Sequence, residues 1–215
     1  MIVTIDGPAG AGKSSVARSL AKRLGFRFLD TGSMYRAVVL TAVRRNVPLD
    51  DATQLADLAA SIRIDVDDNS TRVDGVDVSK AIRTGEITQI IVHAADNVAV
   101  REILSKRQRE IASGHDVVTE GRDQGTVVFP DADCKIFLTA SPEERARRRQ
   151  ADMEAGGESI DFEEVLRRQN RRDEEDYNRP IGRLQKANDA VEVSTDGMTR
   201  DEVLDELERI VLQHK

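Results

Sequence analysis

The chain holds a single cysteine, no tryptophan, two tyrosines and five phenylalanines among its 215 residues. One thiol, Cys134, cannot close an intramolecular disulfide, so a reducing cytoplasm fits better than secretion, and Cys134 is expected as a buried filler. The scarcity of aromatics removes the stacking platforms on which single-stranded nucleic acids are held. A formal net charge of −7 points the same way, since general nucleic-acid binders present a net basic domain. No nucleic-acid partner is expected. Long apolar runs are missing as well. Met1 to Asp6 lead directly into a glycine-rich turn with no charged leader, and nothing calls for a targeting segment or a membrane. A chain of this length suits one domain of ordinary size, or one carrying a modest insertion, and can bury a core without metals or disulfides.

What is abundant is arginine. Of the 32 cationic residues 25 are arginine, and ten of those lie between Arg145 and Arg183, interleaved with acidic residues that nearly cancel them. Two readings stay open on composition. One is a helix surface laced with i,i+4 ion pairs. The other is phosphate capture, for which the guanidinium offers a bidentate fork that stays charged when desolvated.

The order of local signals predicts an α/β fold. Ile2 to Ile5 is a short β-rich run, and Val16, Ala17, Leu20 and Leu24 follow at helical spacing, closed by Gly25. Phe26 to Leu29 predicts a second strand, and an amphipathic helix is expected from about Ser33 to Arg45. From about Ser61 the pattern alternates through Ile62 to Val66. Turn residues Asp68-Asn69-Ser70 follow, and the hairpin signal Asp74-Gly75 lies within Thr71 to Val78, which together predict a small antiparallel insert. Helical periodicity returns through Val98, Ile103, Leu104 and Ile111. Val117 to Thr119, Ile136 to Leu138 and Val191 to Val193 predict further strands, about five in all in a parallel sheet flanked by helices. Ser141-Pro142-Glu143-Glu144 reads as an N-cap, a first-turn proline and a capping-box glutamate, and Thr199 to Glu202 repeats the box before a closing helix. Between helices starting near Pro142 and Asp161, Glu154 to Glu158 is a glycine-containing connection expected to act as a mobile helical lid, about 150–160.

Gly7-Pro8-Ala9-Gly10-Ala11-Gly12-Lys13-Ser14 matches G-x-x-x-x-G-K-[ST] after a strand and before a helix, the context a phosphate-binding P-loop requires. Gly7 to Ser15 is therefore assigned to the phosphates of ATP. The glycines let successive N–H groups converge on phosphate oxygens, the helix N-terminus adds partial positive charge, Lys13 reaches the β- and γ-phosphates, and the Ser14 hydroxyl ligates Mg²⁺. The loop alone does not separate small-molecule kinases from GTPases or motor ATPases. An Asn-Lys-x-Asp guanine signature is missing, and the chain has the size of a small kinase.

Thr31 and Arg36 follow the second strand, at the carboxyl edge where open α/β sheets bind ligands. Arg122 and Asp123 follow the strand at Val117 to Thr119 at the same edge. They are read as a buried Arg–Asp pair, either functional or holding a loop.

Four ordered blocks carry a resemblance over nearly the whole chain: Ile5 to Ser14, Leu29 to Arg36, Gly121 to Pro130 and Arg172 to Arg179. With these, the sequence resembles the bacterial cytidylate kinases, nucleoside monophosphate kinases of the P-loop class. The resemblance implies an NMP-binding insert at 61–95 within a kinase core of 1–60 and 96–215. It further implies ATP as donor with Mg²⁺, CMP and dCMP as acceptors, and a monomer. By position it implies that Arg36, Arg122 and Arg179 grip the CMP phosphate. Asp176, helped by Thr31 and Arg172, engages the ribose or the adjacent phosphate, and Arg101 and Asp123 read cytosine. Arg147 and Arg148 are the expected lid arginines that stabilise the γ-phosphoryl group in flight. Two positions depart from the family pattern. Val92 stands where many members have a base-contacting serine, and Glu120 replaces the aspartate that commonly opens the Asp-Gly-Arg-Asp block. His93 is expected either to take over a base contact or to be a surface helix residue. A kinase for UMP, AMP or shikimate, and a nucleotide-dependent switch without an acceptor, remain the alternatives.

Overall fold

The computed structural model describes residues 1–67, 70–157 and 159–214. Five strands form one parallel sheet: β1 (Ile2–Asp6), β2 (Arg27–Asp30), β6 (Val117–Gly121), β7 (Cys134–Thr139) and β8 (Val191–Ser194), in the order β2-β6-β1-β7-β8. Their β-branched and apolar residues suit a sheet covered on both faces. On one face α1 (Lys13–Leu24) and the terminal helix α9 (Arg200–Leu212) cover Val3, Ile5, Val118, Ile136 and Leu138. The other face meets α2 (Thr31–Arg44), α3 (Ala52–Ser61) and α6 (Val98–Ala112) in a second core that includes Met34, Val38, Leu55, Leu104 and Val117.

Between α3 and α6 lies the antiparallel insert: β3 (Ile64–Val66), β4 (Thr71–Val73) and β5 (Val76–Asp77), followed by short helices α4 (Gly85–Ile90) and α5 (Val92–Ala95). Asp74 and Gly75 both have positive φ, 51° and 83°, as a two-residue type I′ hairpin turn demands. Of the expected turn Asp68-Asn69-Ser70, the first two residues lie outside the described residues.

Helices α7 (Pro142–Ala155) and α8 (Phe162–Asn178) form a helical hairpin. Helix α7 runs through Glu154 and Ala155, which were expected in the connection, and Gln150 Nε2 closes the turn by donating to Ile160 O at 3.0 Å. The connection's last expected residue, Glu158, lies outside the described residues. The Thr199 capping box is complete. The one at Ser141 is not. Its hydroxyl does cap Glu144 N, but the Glu144 carboxylate turns to Arg147 and Arg148, and Ser141 N donates to Asp196 instead. Two guanidinium partners outcompete one amide for the same carboxylate.

Parallel register decides what meets at the carboxyl edge. Asp6 lies opposite Gly121, Ile5 opposite Glu120, and Asp30 opposite Glu120 from the other side. The ends of β1, β6 and β2 therefore stand in one row, and the loops that leave them share one cleft.

Candidate phosphoryl-transfer site

The loop after β1 is built for close approach. At Gly7 φ is +150°, and a Cβ there would stand 1.9 Å from Leu138 O, so only glycine lets β7 and the loop pass this closely. Gly12 N-caps α1 in a left-handed conformation, aiming the first N–H groups of that helix back into the loop. Lys13 is buried, and its Nζ donates to Pro8 O at 2.6 Å. Burial, followed by the charge of Arg122, pushes its pKa well below the ordinary lysine value, against the pull of Glu120 and Asp6. An anion placed here would favour the charged lysine. Ser14 Oγ donates to Glu120 Oε1 at 2.8 Å, and Ser15 Oγ turns back to Gly12 O at 3.0 Å.

Facing the loop is a cluster of cations. Arg36 of α2 is depressed by burial, and Arg83 and Arg122 lower it further while Asp30 and Glu120 resist. Arg172 of α8 is pushed down to about 10 by burial, then by Arg122, with Arg36 and Arg149 adding to the effect. Neither makes an ion pair among the described residues, which is costly in a desolvated place unless an anion belongs there. Arg122 and Arg179 are partly neutralised by one carboxylate. Arg122 Nε meets Asp176 Oδ2 and Arg179 Nη2 meets Asp176 Oδ1, both at 2.8 Å. Burial works to raise Asp176, but Arg122 beside it, with Arg179 and Arg172, holds it below the usual carboxylate range. Arg179 also reaches Asp96, just after α5, at 2.5 Å. Thr31 Oγ1 donates to Glu120 O at 2.7 Å.

The expected Arg122–Asp123 pair does not exist. The two side chains part in the bend that follows β6. Arg122 goes to Asp176, and Asp123 goes to Arg101 of α6. That second pair is buried on both sides, and Arg101 also donates to Ala95 O at 2.9 Å and lies 5.4 Å from the centre of the Tyr35 ring. Burial pushes Asp123 up, with Arg101 opposing.

The expected lid arginines are placed differently. Arg147 is exposed and pairs with Glu144 at 3.2 Å. Arg148 is tied to Glu144 at 3.0 Å and to Thr195 through Oγ1 and O, both at 2.9 Å. The structure brings neither to the cation cluster. Arg149 is the neighbour whose charge is felt at Arg172. Arg145, buried, was passed over in the sequence although it belongs to the same run. Its Nη1 donates to Ala9 O of the P-loop at 2.9 Å, its Nε to Ala140 O at 3.1 Å, and its Nη2 meets Asp173 of α8 at 2.7 Å. Arg83, joined to Asp30 at 2.9 Å beside Arg36, was missed too, because its isolated position gives no pattern. His93 is an exposed residue of α5, and Val92 is half-buried beside it.

A family model described as cytidylate kinase matches residues 3–213. The cytidylate kinase of Rhodopirellula baltica is 54% identical, the match covering 98% of this chain and 92% of that one. A bifunctional pantoate ligase/cytidylate kinase of Synechococcus sp. (strain JA-3-3Ab) is 46% identical over 99% of this chain, which spans only 41% of that longer protein. Among solved structures, a shikimate kinase from Bacteroides thetaiotaomicron superposes with a TM-score of 0.52 at 13% identity, each chain covered to 98%. TT1252 from Thermus thermophilus superposes at 0.53 with 19% identity, covering 99% of this chain and 96% of that one. These two likenesses concern the fold, a P-loop kinase sheet. With the family model covering almost every residue and a relative identical at more than half of its positions, the chain belongs to the cytidylate kinase family.

Proposed function

We propose that the chain transfers the γ-phosphoryl group of ATP to CMP and dCMP, giving CDP and dCDP. The observation that carries this is the facing of two anion sites across one cleft: the P-loop with its buried Lys13, and the cluster in which Arg36 and Arg172 make no ion pair among the described residues. A nucleotide switch has no use for the second site.

In this reading Arg36, Arg122 and Arg179 hold the acceptor phosphate. Arg122 engages Asp176 through Nε and Gly121 O through Nη1, and Arg179 engages Asp176 through Nη2 and Asp96 through Nε, which leaves Arg122 Nη2 and Arg179 Nη1 to donate to phosphate oxygens. Asp176, Thr31 and Arg172 serve the ribose or the adjacent phosphate. Asp123 accepts from the N4 amino group of cytosine and Arg101 donates to N3. Uracil, with an O4 acceptor and an N3–H donor, mismatches both. Transfer through a loose transition state calls for in-line placement and charge neutralisation, which Lys13 and the arginines supply. An anionic phosphate oxygen needs no general base.

The Ser14 hydroxyl and the Glu120 carboxylate, hydrogen-bonded at 2.8 Å, form the hard-oxygen donor set that Mg²⁺ prefers, few in number because the ion keeps waters and nucleotide oxygens. Bound there, the ion would neutralise charge on the β- and γ-phosphates. Residues 61–95 act as the NMP-binding insert on a core of 1–60 and 96–215, and the segment around 150–160 closes as a lid that excludes water. We assign the protein to the cytoplasm as a monomer without a nucleic-acid partner, in keeping with its single buried thiol and acidic balance.

An ADP-release assay with ATP and Mg²⁺, comparing CMP, dCMP, UMP and AMP, tests the reading. Strong preference for CMP and dCMP is expected. Equal turnover of UMP or AMP would withdraw the cytidylate assignment and leave only a P-loop kinase.

A further inference from the structure

The chemistry above makes no use of Asp6, the last residue of β1 and the immediate neighbour of Gly7. Asp6 is 4% exposed, and among the described residues no cation forms an ion pair with it. Instead it accepts two backbone N–H groups, Gln124 N at 2.8 Å on one oxygen and Gly125 N at 2.7 Å on the other. Those N–H groups open the π-turn Gln124–Val128, whose N-cap is Asp123. From its other side the turn is held through the Gln124 side chain. Thr119 Oγ1 donates to Gln124 Oε1 at 3.0 Å, and Gln124 Nε2 donates to Gln108 Oε1 at 3.3 Å. The fit at Gly125 is tight. A Cβ there would stand 2.9 Å from Thr4 Oγ1 and 3.4 Å from Asp6 Oδ2.

We infer that Asp6 is a positioning residue for base recognition: it clamps the turn that carries Asp123 to the strand that carries the ATP loop, so that donor and acceptor sites keep one register. A carboxylate is the group for this task. It accepts with both oxygens, and charge-assisted bonds are short and stiff. Asparagine offers one oxygen and aims an N–H₂ at the second N–H, where two donors face each other. Holding a carboxylate in so dry a place opposes folding, and burial drives its pKa up to about 7. An apolar side chain there would leave two buried N–H groups unpaired, and only a group that accepts with both oxygens serves both. Asp123 is one residue from the first clamped N–H and Arg122 two, so a shift of the turn moves the base-reading carboxylate directly.

The inference rests on the assignment of Asp123 to the base, and its test keeps the two apart. Steady-state constants for CMP, UMP and ATP are measured on the full chain as wild type, Asp123→Ala, Asp6→Asn and Gly125→Ala, with thermal melts as folding controls. Asp6→Asn is expected to raise KM for CMP about tenfold and to shrink the CMP-to-UMP ratio of kcat/KM about tenfold, with KM for ATP changed by no more than about twofold. A general loosening of the fold would move the two KM values together and leave the ratio alone. If Asp123→Ala abolishes the ratio while Asp6→Asn keeps it, the clamp is overturned and the base assignment stands. If Asp123→Ala itself keeps the ratio, both fall. Should Asp6→Asn fail to fold, Gly125→Ala pushes the same joint apart from the turn side. The same pattern of constants is expected from it, and wild-type selectivity there overturns the clamp.

Discussion

Ser14 and Glu120 lie 106 positions apart, yet Ser14 Oγ donates to Glu120 Oε1 at 2.8 Å across the row where β1 and β6 end. The hydroxyl assigned to Mg²⁺ is thus oriented by a carboxylate on the neighbouring strand. Replacing Glu120 by glutamine keeps an acceptor for Ser14 and removes the charge. The Mg²⁺ concentration for half-maximal rate should rise about 10-fold or more, as removal of a group that orients a metal ligand does elsewhere. An unchanged Mg²⁺ dependence would show that Glu120 serves Ser14 only as a structural partner.

Lys13→Ala should yield a folded protein with a rate lower by ~10² or more, the scale of removing one electrostatic stabiliser. Because burial already disfavours the lysine charge in the free protein, its loss should leave the melting temperature unchanged or higher. A melting temperature that falls sharply along with the rate would assign Lys13 to structure.

The arginines of α7 divide by burial and partner. Arg145→Ala leaves Asp173 buried without its cation and releases Ala9 O, a change that breaks a buried pair at a cost of about 3–5 kcal/mol. Arg147→Ala removes an exposed pair and should change stability by less than about 1 kcal/mol. Urea denaturation of both variants checks the contrast, and equal losses would contradict the placement of the two side chains.

The Asp6 carboxyl titrates near 4 in an unfolded chain and at about 7 when buried. Below pH 4 both states hold the proton and the shift has no effect. Between 4 and 7 the unfolded state ionises first, so the folded state binds more protons and stability falls as pH rises. The full cost, up to about 4 kcal/mol, is present above 7. Asp6→Asn lacks this group. Its melting temperature should therefore gain on that of the wild type between pH 4 and 8. Parallel curves would show an ordinary carboxyl.

Much of this was legible in the sequence where the signal is local. The P-loop is eight contiguous residues in a strand-loop-helix context, and the strands, the Asp74-Gly75 hairpin and the closing helix announce themselves by period and turn chemistry. Helices α4 and α5 did not, being only six and four residues long, and α3 was passed over although Asp51 caps it and Leu55, Leu58 and Ala59 form a buried face. Nor did the π-turn at Gln124, whose i→i+5 bonding has no sequence pattern. Partner choice was the least readable feature. Arg122 and Asp123 are adjacent, yet the bend after β6 sends one to α8 and the other to α6. Among three consecutive arginines of α7, only the phase of the helix against the sheet decides that 147 and 148 serve Glu144 while 149 acts on Arg172.

The strand order carries a consequence for biosynthesis. β1 is central, and its two neighbours, β6 and β7, lie between residues 117 and 139. During synthesis the complete P-loop motif emerges about a hundred residues before β6 (Val117–Gly121), so the strand that anchors the loop first has nothing to pair with. Loop-closure entropy delays such distant pairing further. Truncated products that stop before β6 carry the motif without the site, so nucleotide binding reports that the sheet has closed around β1.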